Sequence, residues 1–210
     1  MKRVALAAVI VLSGCGGGGS APGGPLVWSQ LDYAVSGETT RDWAENGDEL
    51  AIVEVRGEST PKPWPAYKNS GGLAGRKVTA TVGRPLWRRP GAPRAPHDLR
   101  IQTLGWMWDD DQDPHSARRE LYEDGAPRME PGKRYLVVLT RFHGTWGPVS
   151  GRAVLTVGSD GRVHADPPYG DPSPGARAID GRTPKQAAAV LARLAPVMGE
   201  QEQDRSGGSP

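Results

Sequence analysis

The 210-residue chain contains a single cysteine, Cys15, and only one phenylalanine. One thiol excludes an intramolecular disulfide framework and any zinc site built on several cysteines. An excess of charge is also lacking. The 26 Lys and Arg exceed the 24 Asp and Glu by two, and Lys2 and Arg3 supply two cations at the very start. The rest of the chain is balanced, which excludes a nucleic-acid binder driven by bulk charge, because neutralising phosphates needs a basic excess. Apolar residues make up 37%, below the usual share for a soluble protein. The longest apolar run near the start, Val4 to Leu12, falls short of the roughly 20 residues of a spanning helix. No G-x-S-x-G elbow and no H-E-x-x-H pair is present. What the chain does have is 29 Gly, 20 Pro and seven Trp. The first two approach a low-complexity composition, while the tryptophans and β-branched runs call for a packed core.

Lys2-Arg3, the short apolar run and the small residues Ser13 and Gly14 form the three parts of a secretory signal. Leu12-Ser13-Gly14-Cys15 resembles the lipobox of bacterial lipoproteins. That resemblance implies cleavage before Cys15 and a diacylglyceryl group on its sulfur, the only covalent group expected on the protein. Residues 1–14 would be the signal peptide and Cys15 the mature N-terminus, with 24 charges of each sign remaining. Residues 15–25 combine that cysteine with a Gly-rich tether, whose ten residues after the cysteine reach about 17 Å. High Gly, Pro, Ala and Arg usage resembles proteins of high-GC actinobacteria, which implies the outer face of the cytoplasmic membrane. At about 0.8 kcal/mol per buried CH₂, two or three acyl chains anchor a protein stably.

The remainder is expected to form one β-rich domain over 26–198, followed by a disordered tail at 199–210. Continuous or alternating apolar runs predict strands at Leu50–Val55, Lys77–Val82, Leu99–Leu104, Tyr135–Thr140, Ala153–Val157 and Arg162–Ala165. Ser159-Asp160-Gly161 reads as the turn of a hairpin between the last two. Thr183-Pro184-Lys185-Gln186 is a capping-box start, and Ala187, Val190, Leu191 and Leu194 give its helix one apolar face, with Pro196 as the stop. Short helical pieces are expected at Thr40–Asn46 and Ser116–Asp124. The fold class is therefore mainly β (α+β): a five- to six-stranded antiparallel barrel or sheet with a C-terminal helix packed on it. Over Leu50–Ala165 the order of strands and long loops, with its Pro-Gly-Lys-Arg-Tyr-Leu-Val-Val-Leu segment, is similar to the OB-like barrels of secreted netrin-type modules. That similarity implies a binding or inhibitory scaffold, although fold alone does not give function.

Four sets of residues are candidates for chemistry. Asp109, Asp111, Asp113 and Glu120 fall at positions 1, 3, 5 and 12 of a calcium loop. Pro114, however, stands where that loop needs glycine, and its fixed φ denies the turn; a solvated acidic loop fits the same residues. Trp106 and Trp108, two apart on a strand, share a face and are candidate ligand residues that could stack on sugar rings, unless they fill core. Trp64 and Trp87 lie in loop-like sequence. His97, His115, His143 and His164 are scattered and read as surface histidines. Arg84 to Arg94 carries four cations that could touch an anionic surface, or simply be a solvated loop. The expectation is a non-enzymatic binding or interaction lipoprotein, membrane-anchored, meeting a cell-envelope glycan or protein partner and no nucleic acid, with no cofactor beyond the lipid. The alternative is an extracytoplasmic hydrolase or calcium-dependent module that acts on wall polymers through residues 109–113.

Overall fold

A computed structural model of the chain describes residues 26–28, 37–59, 73–108 and 118–194. Cys15, the tether, Trp64, Asp109, Asp111, Asp113, His115, Pro196 and the 199–210 tail lie outside the described residues. The elements run β1 (Leu26–Trp28), α1 (Thr40–Asn46), β2 (Glu49–Ser59), β3 (Leu73–Val82), β4 (Trp87–Arg88), β5 (Asp98–Trp108) and β6 (Arg118–Glu123). They continue as β7 (Arg134–Phe142), β8 (Thr145–Pro148), a 3-10 turn at Gly151–Ala153, β9 (Val154–Val157), β10 (Val163–His164), α2 (Pro174–Ile179) and α3 (Pro184–Leu194).

The architecture is mainly β. Nine strands pair antiparallel in one large sheet, and β1 joins its edge parallel to β6. The strand order is β1-β6-β5-β3-β2-β7-β9-β10, with β4 on β2 and β8 on β7. The order does not return on itself, so the sheet is not closed among the described strands. The expected antiparallel sheet and C-terminal helix are present, and the short strands β1, β4, β6 and β8 add to the expected set.

Both faces of the central strands are buried, which is why their sequences read as nearly continuous apolar runs and not as strict alternation. On β2, Leu50 turns toward the helices while Ala51, Val53 and Val55 turn the other way. On β7, Leu136 and Val138 join the first set, and Tyr135, Val137 and Leu139 the second. The helical face packs Trp43 of α1, Ala176 and Ile179 of α2, and Ala187 and Leu191 of α3. The opposite face is lined by Val78, Ala80 and Val82 of β3 and by Leu99 and Ile101 of β5.

Local signals account for the helices. Thr39 caps α1 by accepting from the Asp42 amide (3.1 Å), and Asp42 Oδ2 accepts from the Thr39 amide in return (2.9 Å). At α3, Thr183 Oγ1 accepts from the Gln186 amide (3.3 Å) and the Thr183 amide donates to Gln186 Oε1 (2.9 Å), the expected capping box. Ala187 and Leu191 are buried, and Val190 and Leu194 pack partly against them. The expected β9–β10 hairpin forms, with Gly161 at φ 74° in its turn. One expectation is corrected. Ser116–Asp124 is not helical where described: Arg118–Glu123 is strand β6, pairing Trp106↔Glu120 with β5 and Leu121↔Leu26 with β1. Leu121 is buried and Glu120 exposed, the alternation of a strand at a sheet surface.

Candidate functional site

Strand β6 pairs with β5 only at Trp106–Trp108. Along Asp98–Gly105, β5 pairs with β3 on one side and with no described strand on the other. Strand β8 approaches that open side without forming a ladder. It is held there by a two-residue turn in which His143 (φ 48°) and Gly144 (φ 84°) both adopt positive φ, as a type I′ hairpin requires. Between β5 and β8 lies a groove of about 290 Å³.

Ile101, Met129 and Val154, all buried, form the inner end of this groove. Gln102, Thr103 and Leu104 line it from β5, Leu121 and Tyr122 from β6, and Thr145, Trp146, Gly147 and Pro148 from β8. Phe142 stands at its rim with 51% of its surface exposed, the one large hydrophobic residue so exposed among those described. Its ring lies edge-on to His143, 4.2 Å between centroids. Trp146 is partly buried against the inner core.

Two arginines reach the groove, and both are occupied within the fold. Arg76 on β3 follows the inward alternation of Val78 and Ala80 and is 1% exposed. Its Nη1 donates to Glu58 and to the Met129 carbonyl (2.7 Å), and its Nε to the Leu104 carbonyl (3.2 Å). Burial, and then the nearby Arg128 charge, lower its pKa, while Glu58 works the other way. Arg128 lies over the rings of Trp106 (5.2 Å) and Tyr122 (5.5 Å). It donates to the carbonyls of Gly105 and Leu121, both at 3.2 Å, which fastens β5 to β6 beside the open edge. Tyr122 donates to Glu120 (2.8 Å), and burial followed by that carboxylate pushes its phenol up to about 12.

Of the residues singled out from sequence, among those described, Trp106 and Glu120 pair across β5 and β6 and both meet Arg128, while His97 and His164 lie apart. Trp106 is 3% exposed beneath Arg128, so of its two readings the core-filling one describes it: the indole fills space and supports a cation. The side chain of Trp108 lies outside the described residues. Glu120 accepts from Tyr122 and lies 3.5 Å from Arg128 on a strand, where a calcium loop would place its exiting helix. Among the described residues no three His, Cys, Asp or Glu side chains are grouped as metal ligands. His97 contacts the Val82 carbonyl (3.2 Å), and His164 contacts Asp160 (3.1 Å), far apart in the strand order. Trp87 is buried in β4, and Arg89 from the basic segment is paired to buried Asp48 at 2.5 Å. The groove itself escaped sequence reasoning, because its two walls come from segments about forty residues apart. The one signal that could have pointed to it is the lone phenylalanine beside a His-Gly turn.

Compared with known protein families, characterised proteins and solved structures, the chain matches none of them.

Proposed function

We propose that this protein is a lipoprotein tethered through Cys15 to the outer face of the cell membrane, and that its β domain is a non-enzymatic binding module. The observation that carries the binding part is the β5–β8 groove, open at a rim where Phe142 is left half in water. An isolated exposed hydrophobic residue needs no explanation, but one set at the mouth of an apolar cleft is where a ligand lowers the free energy. The groove's arginines and nearby Glu120 are engaged with one another and with backbone, which suits binding better than acid–base turnover. The curled sheet with its open seam is compatible with an OB-like module, and Leu12-Ser13-Gly14-Cys15 supports the anchor.

The test uses full-length Cys15→Ser protein, expected to leave the membrane fraction, mixed with isolated cell envelopes and sedimented. Retention above that of an unrelated soluble protein is expected, and Phe142→Ala should weaken it. Burying the exposed half of the ring contributes about 1 kcal/mol, so the loss is about fivefold. No retention, or retention indifferent to Phe142, contradicts the binding reading. A Cys15→Ser chain that both fractionates and matures like the wild type, neither released nor blocked in processing, contradicts the anchor.

A further inference from the structure

We infer that the arginine-bearing loop 83–97, at one end of the sheet, is a docking surface for an anionic lipid bilayer; this rests on the membrane-tethered reading, which sets the domain beside such a surface. The chain is balanced in charge overall, but its charges are segregated. Ser59 to His97 hold eight Lys and Arg and no Asp or Glu. The loop starts and ends at one place, because the Val82 amide donates to the His97 carbonyl (2.7 Å). Midway, β4 lays it against the start of β2 in the register Glu49↔Arg88 and Leu50↔Trp87. Trp87 is buried and roots the loop, while Arg84, Arg88 and Arg94 are exposed.

The carboxylates that reach the loop from β2 and the turn before it, Asp48 and Glu49, are both buried. Asp48 is engaged by Arg89, by the Arg141 amide (2.8 Å) and by Thr140 Oγ1 (3.4 Å), and Glu49 accepts from the Ala95 amide (3.3 Å). The charges of Arg88 and Arg94 bear on Glu49, but among the described residues no ion pair holds Arg84, Arg88 or Arg94. Arg141 adds another exposed cation at this end, and Asp98, just after the loop, is an exposed carboxylate. The acids are thus mostly turned inward and the cations outward. Between the arginines the loop exposes Pro90, Gly91, Pro93 and Pro96 and no large apolar side chain, which suits contact with head groups and not insertion between acyl chains. Such a contact acts over about 10 Å in 0.1 M salt and holds weakly by itself. A ten-residue tether keeps the domain within about 17 Å of the bilayer, so even a weak contact is occupied. A soluble anionic polymer offers the same charge without that proximity.

The test mixes full-length Cys15→Ser protein, at low ionic strength, with vesicles of phosphatidylcholine alone or doped with phosphatidylglycerol, and reads co-sedimentation. Binding to the anionic vesicles and its release by salt are expected. Each cation near such a surface strengthens binding about fivefold, so Arg88→Gln with Arg94→Gln should weaken it about twentyfold. Lys77→Gln with Arg134→Gln removes the same charge from exposed sites at the other end of β2 and should weaken it less than about threefold. Both doubles carry the same first fourteen residues, so any contribution from those cancels in the comparison. Anionic vesicles should also shield Arg88 and Arg94 from an arginine-selective dicarbonyl reagent and leave Arg134 reactive, as read by mass spectrometry. Equal binding to neutral vesicles, equal loss in the two doubles, or unchanged reactivity of Arg88 and Arg94 overturns the inference. Binding to soluble polyphosphate without binding to vesicles overturns it too. The experiment does not use the anchor, so a wild-type chain found to lack the lipid would overturn the tethered reading while vesicle binding still decides the docking surface.

Discussion

The carbonyl of Gly37 is a buried acceptor served by two buried donors from distant parts of the chain: Trp43 Nε1 at 2.7 Å and Ser150 Oγ at 3.1 Å. The two bonds fasten the start of α1 to the segment after β8, and they define a double-mutant cycle. Trp43→Phe removes one donor at a cost of about 1 kcal/mol and shrinks a fully buried ring at roughly 1 more. Ser150→Ala removes the weaker donor for about 1 kcal/mol. Each single variant leaves the carbonyl one partner. The double variant leaves none, and an orphaned buried acceptor costs an additional 1–3 kcal/mol or so. The pair should therefore be more destabilising than the sum by about 1–2 kcal/mol. Urea unfolding followed by far-UV circular dichroism, with unchanged slope, measures all four states. Additivity to within about 0.5 kcal/mol would refute the reasoning, because it would mean that the carbonyl is not buried behind these two donors.

Other consequences are read in the same assays. Leu191→Ala on α3, a fully buried side chain against the sheet, should cost about 2–5 kcal/mol, whereas a cost near zero would mean that the helix is undocked. Glu49 is 1% exposed, and burial raises its carboxyl above the ordinary 4.5 against a hydrogen bond from the Ala95 amide (3.3 Å) and the charges of Arg94 and Arg88. Its contribution is thus fully present below the unfolded value and lost as pH rises through the folded one. Glu49→Gln should raise the urea midpoint at neutral pH, with the difference from wild type disappearing below pH 4.5. Equal midpoints at neutral pH would contradict the burial argument. Tyr122, pushed up to about 12, should not titrate with ordinary tyrosines near 10. Tyr122→Phe should leave the phenolate absorbance change near pH 10 unaltered, and a loss of one tyrosine's worth of that change would contradict its placement.

Much of the fold was legible because burial writes itself into short runs. Leu50–Val55 and Tyr135–Thr140 are almost wholly apolar since β2 and β7 are covered on both faces, and α1 and α3 carry caps that also form in the structure. Ser173-Pro174 bears the same kind of signal as Thr183-Pro184, with Ser173 Oγ accepting from the Ala176 amide (3.1 Å), yet the six-residue helix α2 is too short to show an apolar period and reads as a turn. Strand β6 reads as helical because Arg118–Glu123 is rich in helix-forming residues, while its pairing with β5 and β1 is a non-local fact. The site was less legible still. A groove made by the edges of β5 and β8 has no local signature, and Arg76 looks like a surface cation until the inward alternation of β3 places it beside Glu58.

On the proposed reading, what the groove meets depends on where an anchor at Cys15 places the domain. The most direct measurement is the intact mass of the mature protein extracted with detergent from the membranes of the cells that make it. A chain beginning at Cys15 and carrying a diacylglyceryl group is expected. A chain that retains residues 1–14, or one that begins elsewhere with no lipid on Cys15, would contradict the membrane-tethered account.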